Sequence, residues 1–150
     1  MAAAGAIHLR ELFDGKLTNL AKKEDAQVSD VEGKVVALYF SAHWCPPCRA
    51  FTPTLIKAYN DAKAAGANFE LVFVSSDEDV EGFDDYTKDM PWLAVKFDDE
   101  EARSQIGEKF GIKGIPALII VGKDGKIITQ DGRTPVSKEK DAAFVQWAKL

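Results

Sequence analysis

Apolar and polar positions divide the chain into short segments of differing period. Val35-Val36-Ala37-Leu38-Tyr39-Phe40 is a continuous, partly β-branched run, the pattern of a strand buried on both faces. A longer stretch follows, from Pro46 to about Ala65, in which Phe51, Leu55, Ala58 and Ala62 recur at spacings of four and three. That period predicts an amphipathic helix, with a kink expected at Pro53 and a stop at Gly66. Phe69 to Val74 repeats the buried-strand pattern. Asp79–Lys88 and Glu100–Phe110 read as helices, presenting Val80, Phe83 and Tyr86, then Ala102, Ile106 and Phe110. Ala117–Val121 is a strand, Gly122–Lys126 a turn, and Ile127–Thr129 the returning partner of a hairpin. Lys138–Lys149 predicts a closing helix with Phe144 and Trp147 on one side. Upstream, residues 1–15 suggest a helical lead-in carrying Ile7, Leu9, Leu12 and Phe13. Lys16–Ser29 suggests an edge hairpin around Lys22-Lys23-Glu24-Asp25.

Alternating strands and helices imply a parallel core, and the late hairpin adds an antiparallel edge. The expected architecture is α/β, one central mixed sheet with helices on both faces. The 150 residues fit one domain and bury roughly 70% of the surface the unfolded chain exposes, so the core needs no metal or disulfide. Residues 1–27 are expected to form an N-terminal extension to that domain.

Charge narrows the partners. Nineteen basic residues lie scattered among twenty-four acids for a net charge of −5. Without a basic stripe, a nucleic-acid backbone is not an expected partner. The N-terminal residues lack a charged segment followed by a long apolar run, and no apolar run approaches a membrane span. The expected compartment is the cytosol, and the chain is small enough for the nucleus as well. A monomer without cofactor or metal is expected.

The chain has two cysteines, and they form Trp44-Cys45-Pro46-Pro47-Cys48. A reducing cytosol disfavours a purely structural disulfide, and a bridge closing so short a loop restrains the unfolded chain little. The motif falls between a buried strand and a helix. The first turn of a helix offers free N–H groups and the positive end of its dipole, which favours a reactive thiolate. We therefore expect an accessible, partly ionised sulfur at Cys45. Pro46 and Pro47 suit the same turn, because the N–H groups they lack are unpaired there anyway. Cys48, three residues on, lies on nearly the same helical face, within reach of Cys45. Trp44 is placed to cover one side of the reacting sulfur. Half of a zinc site is the competing reading, although only His8 and His43 are left to complete it. A pair of inert buried cysteines is another.

The segment Phe40-Ser41-Ala42-His43-Trp44-Cys45-Pro46-Pro47-Cys48-Arg49-Ala50-Phe51-Thr52-Pro53 resembles the tryparedoxin and nucleoredoxin branch of the thioredoxin superfamily. So do Met90-Pro91-Trp92-Leu93-Ala94-Val95 and Phe110-Gly111-Ile112-Lys113-Gly114-Ile115-Pro116. The similarity spans roughly residues 28–134. It implies a thioredoxin fold, Cys45 as attacking thiol, Cys48 as resolving thiol and Pro116 as a cis-proline facing them. It also implies that the Ile115 backbone pairs with a substrate strand. An ordinary strand-start proline is the plainer alternative for Pro116.

Departures from the wider superfamily matter too. Many thioredoxins carry a buried acid six residues before the first cysteine, where this chain has Tyr39. A tyrosine of ordinary pKa near 10 is a poor base. Its hydroxyl either donates a hydrogen bond to a thiolate or is satisfied within the core. Ser76-Asp77 stands where tryparedoxins have Trp-Asp. Asp77 is either an active-site rim acid acting on the cysteines or a helix N-terminal acid before Val80. Arg133 aligns with a basic residue near substrate in tryparedoxins; the alternative is a solvated loop arginine. His43 is either a charge beside the thiolate or a solvated side chain. Trp92 and Trp147 are expected in the core.

The leading function is reduction of protein disulfides, with a low-molecular-weight thiol (trypanothione or glutathione) or a reductase as electron donor. A redox-gated module that binds signalling partners is the alternative. A peroxidase is disfavoured, because no Pro-x-x-x-Thr-x-x-Cys pattern precedes Cys45.

Overall fold

The computed structural model describes residues 7–150. Seven strands form one mixed sheet: β1 (Leu17–Asn19), β2 (Glu24–Ala26), β3 (Val35–Ser41), β4 (Phe69–Ser75), β5 (Leu93–Val95), β6 (Ala117–Val121) and β7 (Ile127–Thr129). Their spatial order is β2-β1-β5-β4-β3-β6-β7. The two apolar runs become β3 and β4, paired in parallel from Val35↔Phe69 to Ser41↔Ser75. β5 continues the parallel core, and β6 lies antiparallel on the other side of β3. Both cysteines thus follow the central strand.

Side-chain alternation along β3 feeds two cores. Val35, Ala37 and Tyr39 pack beneath α2 (Pro46–Ala64), α3 (Val80–Thr87) and the C-terminal helices. Val36, Leu38 and Phe40 face the other layer, with Phe13 of the short first helix α1 (Leu9–Phe13) and Ala102 and Ile106 of α4 (Glu100–Lys109). On α2 the predicted apolar positions Phe51, Leu55, Ala58 and Ala62 are all buried. The helix runs through Pro53 and ends where predicted. Gly66 adopts φ +87°, its N–H reaches the Lys63 carbonyl and the Ala67 N–H reaches Ala62, closing the helix with a Schellman motif.

Four sequence expectations are corrected. The lead-in helix is only Leu9–Phe13 among the described residues, and the part of that expectation on residues 1–6 lies outside them. Residues 17–26 build the predicted edge hairpin, but its turn is Leu20–Lys23, with Glu24 and Asp25 in strand β2. Pairing of β1 with β5 makes this segment part of the main sheet. Only three residues long, β5 carries too little periodicity to be read as a strand. The closing helix is two, α5 (Arg133–Glu139) and α6 (Asp141–Ala148), broken at Lys140 with φ +57°. Each half anchors separately, Val136 from one and Phe144 and Trp147 from the other. Val80 is exposed because it opens α3, ahead of the turn that places Phe83 and Tyr86 in the core.

The loop between β6 and β7 closes with the Gly122 N–H on the Lys126 carbonyl. At Gly125 (φ +83°) the Ile7 backbone lies so near that a Cβ would stand 2.5 Å from the Ile7 carbonyl oxygen. Glycine there lets the N-terminal segment lie against the hairpin.

Candidate active site

Strand β3 ends at Ser41 and the chain turns through Ala42-His43-Trp44, with the Cys45 N–H returning to the Ala42 carbonyl at 3.2 Å. Cys45 is the N-cap residue of α2, and Pro46 and Pro47 occupy its first two positions, both exposed. Cys48 follows in the first turn. Both thiols are free.

Cys45 is more enclosed than its position led us to expect. It is 5% exposed, and Cys48 is fully buried. The covering comes from the facing loop, where the Cys45 Sγ–H points to the Ile115 carbonyl at 3.9 Å and the Ile115–Pro116 bond is cis. Folding thus joins a helix start to a loop seventy residues away. Burial, followed by a hydrogen bond with the Cys45 thiol, pushes the Cys48 thiol up to about 11, against opposing hydrogen bonds from Ser41 and the Ala42 backbone. Cys48 is accordingly a neutral thiol at physiological pH.

Around the pair, each candidate residue takes a definite place. Trp44 is 58% exposed, held by its indole N–H on the Ser76 carbonyl at 3.1 Å. Tyr39 is fully buried, and its hydroxyl meets Thr52 Oγ1 at 2.7 Å and the Cys48 carbonyl at 3.4 Å. Burial raises its pKa, so it stays neutral. The core reading of Tyr39 therefore holds, and its hydroxyl bonds to the Cys48 backbone.

Asp77 is buried and accepts the His43 backbone N–H at 2.8 Å and the Ser75 hydroxyl at 3.0 Å. It is not the helix cap. Asp79 caps α3, accepting from the Gly82 N–H at 2.7 Å. Two acids in a row of three satisfy the same capping pattern, so spacing alone did not separate them. Asp77 instead ties the turn before Cys45 to the end of β4.

Arg133 is the first residue of α5, not a loop residue. Its guanidinium donates to the Pro116 carbonyl at 3.1 Å and lies over the Phe51 ring at 5.7 Å, bracing the loop opposite the cysteines. His43 pairs through Nε2 with Asp85 at 3.1 Å and meets the Tyr86 ring edge-on at 5.8 Å, so it is tied to α3. Trp92 and Trp147 are core residues as expected. Among the described residues, no group of three His, Cys, Asp or Glu side chains gathers as a metal site. No helix among them is long and apolar enough to cross a membrane.

Three participants escaped the sequence reading. Arg103 of α4 donates to the Phe97 carbonyl at 2.9 Å and to those of Ser75 and Asp77 at 2.9 and 3.4 Å, fixing the loop that carries Asp77. Ser41 and Tyr86 meet at 2.5 Å beside Cys48. The signal for Ser41 was a polar residue ending an apolar strand, two places from Tyr39 and so on the same face. Arg103 gave none, since an arginine in a charged helix reads as solvated.

A vicinal thiol pair at a helix start, facing a cis-proline loop on a mixed sheet, defines a thioredoxin-type redox domain. Comparison with known proteins bears this out. A thioredoxin-like family model matches residues 33–127. Human nucleoredoxin is 44% identical over 92% of this chain, and tryparedoxin from Trypanosoma brucei brucei is 42% identical over 93%. The match covers 32% of the former and 96% of the latter, so the chain spans about a third of the curated nucleoredoxin's length. A tryparedoxin II solved in complex with glutathionylspermidine is 40% identical, with a TM-score of 0.81, over 89% of this chain and 94% of that one. The chain belongs to the thioredoxin-like family, in its tryparedoxin and nucleoredoxin branch.

Proposed function

We propose that the chain reduces disulfide bonds in protein substrates through a Cys45–Cys48 dithiol cycle. The observation that carries this reading is the asymmetry of the pair. Cys45 stands at the helix start against the Ile115 carbonyl, while Cys48 lies one turn behind it, sealed and held neutral. Thiol–disulfide exchange needs two roles, one sulfur that attacks and one in reserve.

In the first step the Cys45 thiolate attacks one sulfur of the substrate disulfide. A Cys45–substrate bond forms, the substrate S–S bond breaks, and the departing thiolate takes a proton from solvent. In the second, Cys48 loses its proton and attacks the Cys45 sulfur, releasing the other substrate thiol. Two electrons have then passed to the substrate, and the chain holds a Cys45–Cys48 disulfide. Exposed Trp44 and the exposed prolines Pro46 and Pro47 form one bank of the site, and Ile115 and Pro116 the other. The backbone at Ile115 pairs with an extended substrate segment. Asp77, Tyr39 and Arg133 hold these banks in place.

A small thiol compound or a reductase regenerates the dithiol. The glutathionylspermidine complex of the related tryparedoxin II supports the small-thiol route. Turnover of insulin disulfides by the reduced chain tests the proposal. Activity lost in Cys45→Ser is expected; a Cys45→Ser variant as fast as the wild type would refute it.

A further inference from the structure

A cleft of about 790 Å³ opens at the carboxyl ends of β3 and β4, between the loop after β4 and helix α4. Open α/β sheets hold ligands at that end of their strands. Phe40, Val74, Phe97 and Ile112 give the cleft an apolar wall. Four exposed carboxylates also line it, Glu78 on one bank and Asp98, Glu100 and Glu108 on the other. None of the four belongs to an ion pair among the described residues. Two bases answer them. Arg103 is engaged with the carbonyls of Phe97, Ser75 and Asp77, and Lys113 is exposed.

The cleft and the dithiol share a wall. Ser76 lines the cleft and is exposed, and its carbonyl accepts the Trp44 indole N–H at 3.1 Å. Ile112 and Lys113 line it as well, three and two residues before Ile115, whose carbonyl faces the Cys45 sulfur at 3.9 Å. An extended segment advances about 3.3 Å per residue. A substrate strand paired at Ile115 therefore brings a side chain two or three positions from its cysteine level with the cleft. Ser76 leaves the way open, whereas a tryptophan at this position, as in tryparedoxins, would stand in the mouth.

We propose that this cleft receives a lysine or arginine side chain of the protein substrate, two or three positions from the attacked cysteine, with Ser76, Glu100 and Glu108 setting that choice. This rests on the dithiol cycle proposed above and names its substrate class, protein disulfides with basic neighbours. The long aliphatic stem of such a side chain lies along the apolar wall while its charged head meets the carboxylates. Unpaired carboxylates around a low-dielectric wall also focus the field, which raises the rate of encounter with a cationic partner. An acidic neighbour meets like charge instead, so the same residues select against it.

The full chain, reduced, is mixed at low salt with three peptide disulfides. Each is a symmetric dimer of a short peptide with one cysteine, carrying lysine, glutamine or glutamate at the second and third positions on both sides. Released peptide thiol is counted after acid quench and alkylation, and each rate is divided by that with dithiothreitol to remove the peptide's own reactivity. The lysine peptide is expected to be reduced about 10-fold faster than the glutamine peptide, the lower end of electrostatic steering. The glutamate peptide is expected to be slowest, and the preference to shrink as salt rises. Glu100→Gln combined with Glu108→Gln, and separately Ser76→Trp, are expected to lose most of the preference. Glu11→Gln combined with Glu139→Gln removes the same charge from exposed positions outside the cleft and is expected to keep it. Equal rates for the lysine and glutamine peptides overturn the proposal. So does a preference that survives Glu100→Gln with Glu108→Gln, the mark of overall negative charge. A glutamate peptide reduced fastest overturns it too, giving the cleft to an anionic side chain on Arg103 and Lys113. A wild-type chain that reduces none of the three peptides would instead refute the dithiol cycle itself.

Discussion

Replacing Asp77 with alanine tests how the turn before Cys45 is held. The carboxylate is 5% exposed and accepts two hydrogen bonds, from the His43 N–H at 2.8 Å and the Ser75 hydroxyl at 3.0 Å. Truncation removes both acceptors. The Ser75 hydroxyl can rotate, but the His43 N–H is fixed by the backbone. Bonds to a charged acceptor contribute about 1.5–3 kcal/mol each, and a stranded donor costs about 1–3 kcal/mol. Removing the buried carboxylate also relieves its own desolvation, which offsets part of the loss. The net expectation is destabilisation of about 2–4 kcal/mol. For a domain of this size each kcal/mol shifts Tm by about 2–4 °C, so Asp77→Ala melts about 4–16 °C below the wild type. Asp77→Asn keeps an acceptor for His43 and loses about half as much. Thermal melts followed by far-UV circular dichroism measure both. An alanine variant that melts with the wild type would refute the brace.

The remaining predictions concern the resolving thiol and the scaffold. Burial first, and then Cys45, push the Cys48 thiol up to about 11, so at neutral pH it is protonated and slow to alkylate. In a Cys45→Ser variant its rate of reaction with iodoacetamide is expected to be still rising at about pH 10, whereas a midpoint near about 8.5, the ordinary thiol value, would contradict that environment. Lys140 sits at φ +57° between α5 and α6, a conformation costing a side chain about 1–2 kcal/mol that glycine does not pay. Lys140→Gly is expected to raise the denaturant midpoint, and a lowered midpoint would show that the side chain outweighs the strain. Leu55 is fully buried on α2, and Leu55→Ala is expected to cost about 2–5 kcal/mol, read from urea unfolding.

Much of this fold was legible because its decisive elements have strong periods. β3 and β4 are largely apolar runs, and α2 repeats its apolar face over nineteen residues. The short elements were harder, because their identity is set by partners. β5 is a strand because β1 and β4 flank it. The break at Lys140 follows from two separate anchorages and leaves no glycine or proline to mark it. Within the site, the cysteine motif and its place after the central strand were readable directly. The pairing of Ser41 with Tyr86 and of Thr52 with Tyr39 was not, since these are ordinary residues that only the fold brings together. Asp77 and Arg133 show the same limit. Their side-chain types were noticed, but whether they cap, float or brace depends on groups tens of residues away.

The central claim is that Cys45 and Cys48 exchange two electrons as one unit. Equilibrating the chain across a series of dithiothreitol or glutathione redox buffers, then counting free thiols by mass after alkylation, measures this directly. A single transition in which both thiols appear together is predicted, at a potential between about −120 and −270 mV, the span of C-x-x-C oxidoreductases. Thiols that never pair, or a bridge that resists reduction below about −300 mV as structural disulfides do, would contradict it.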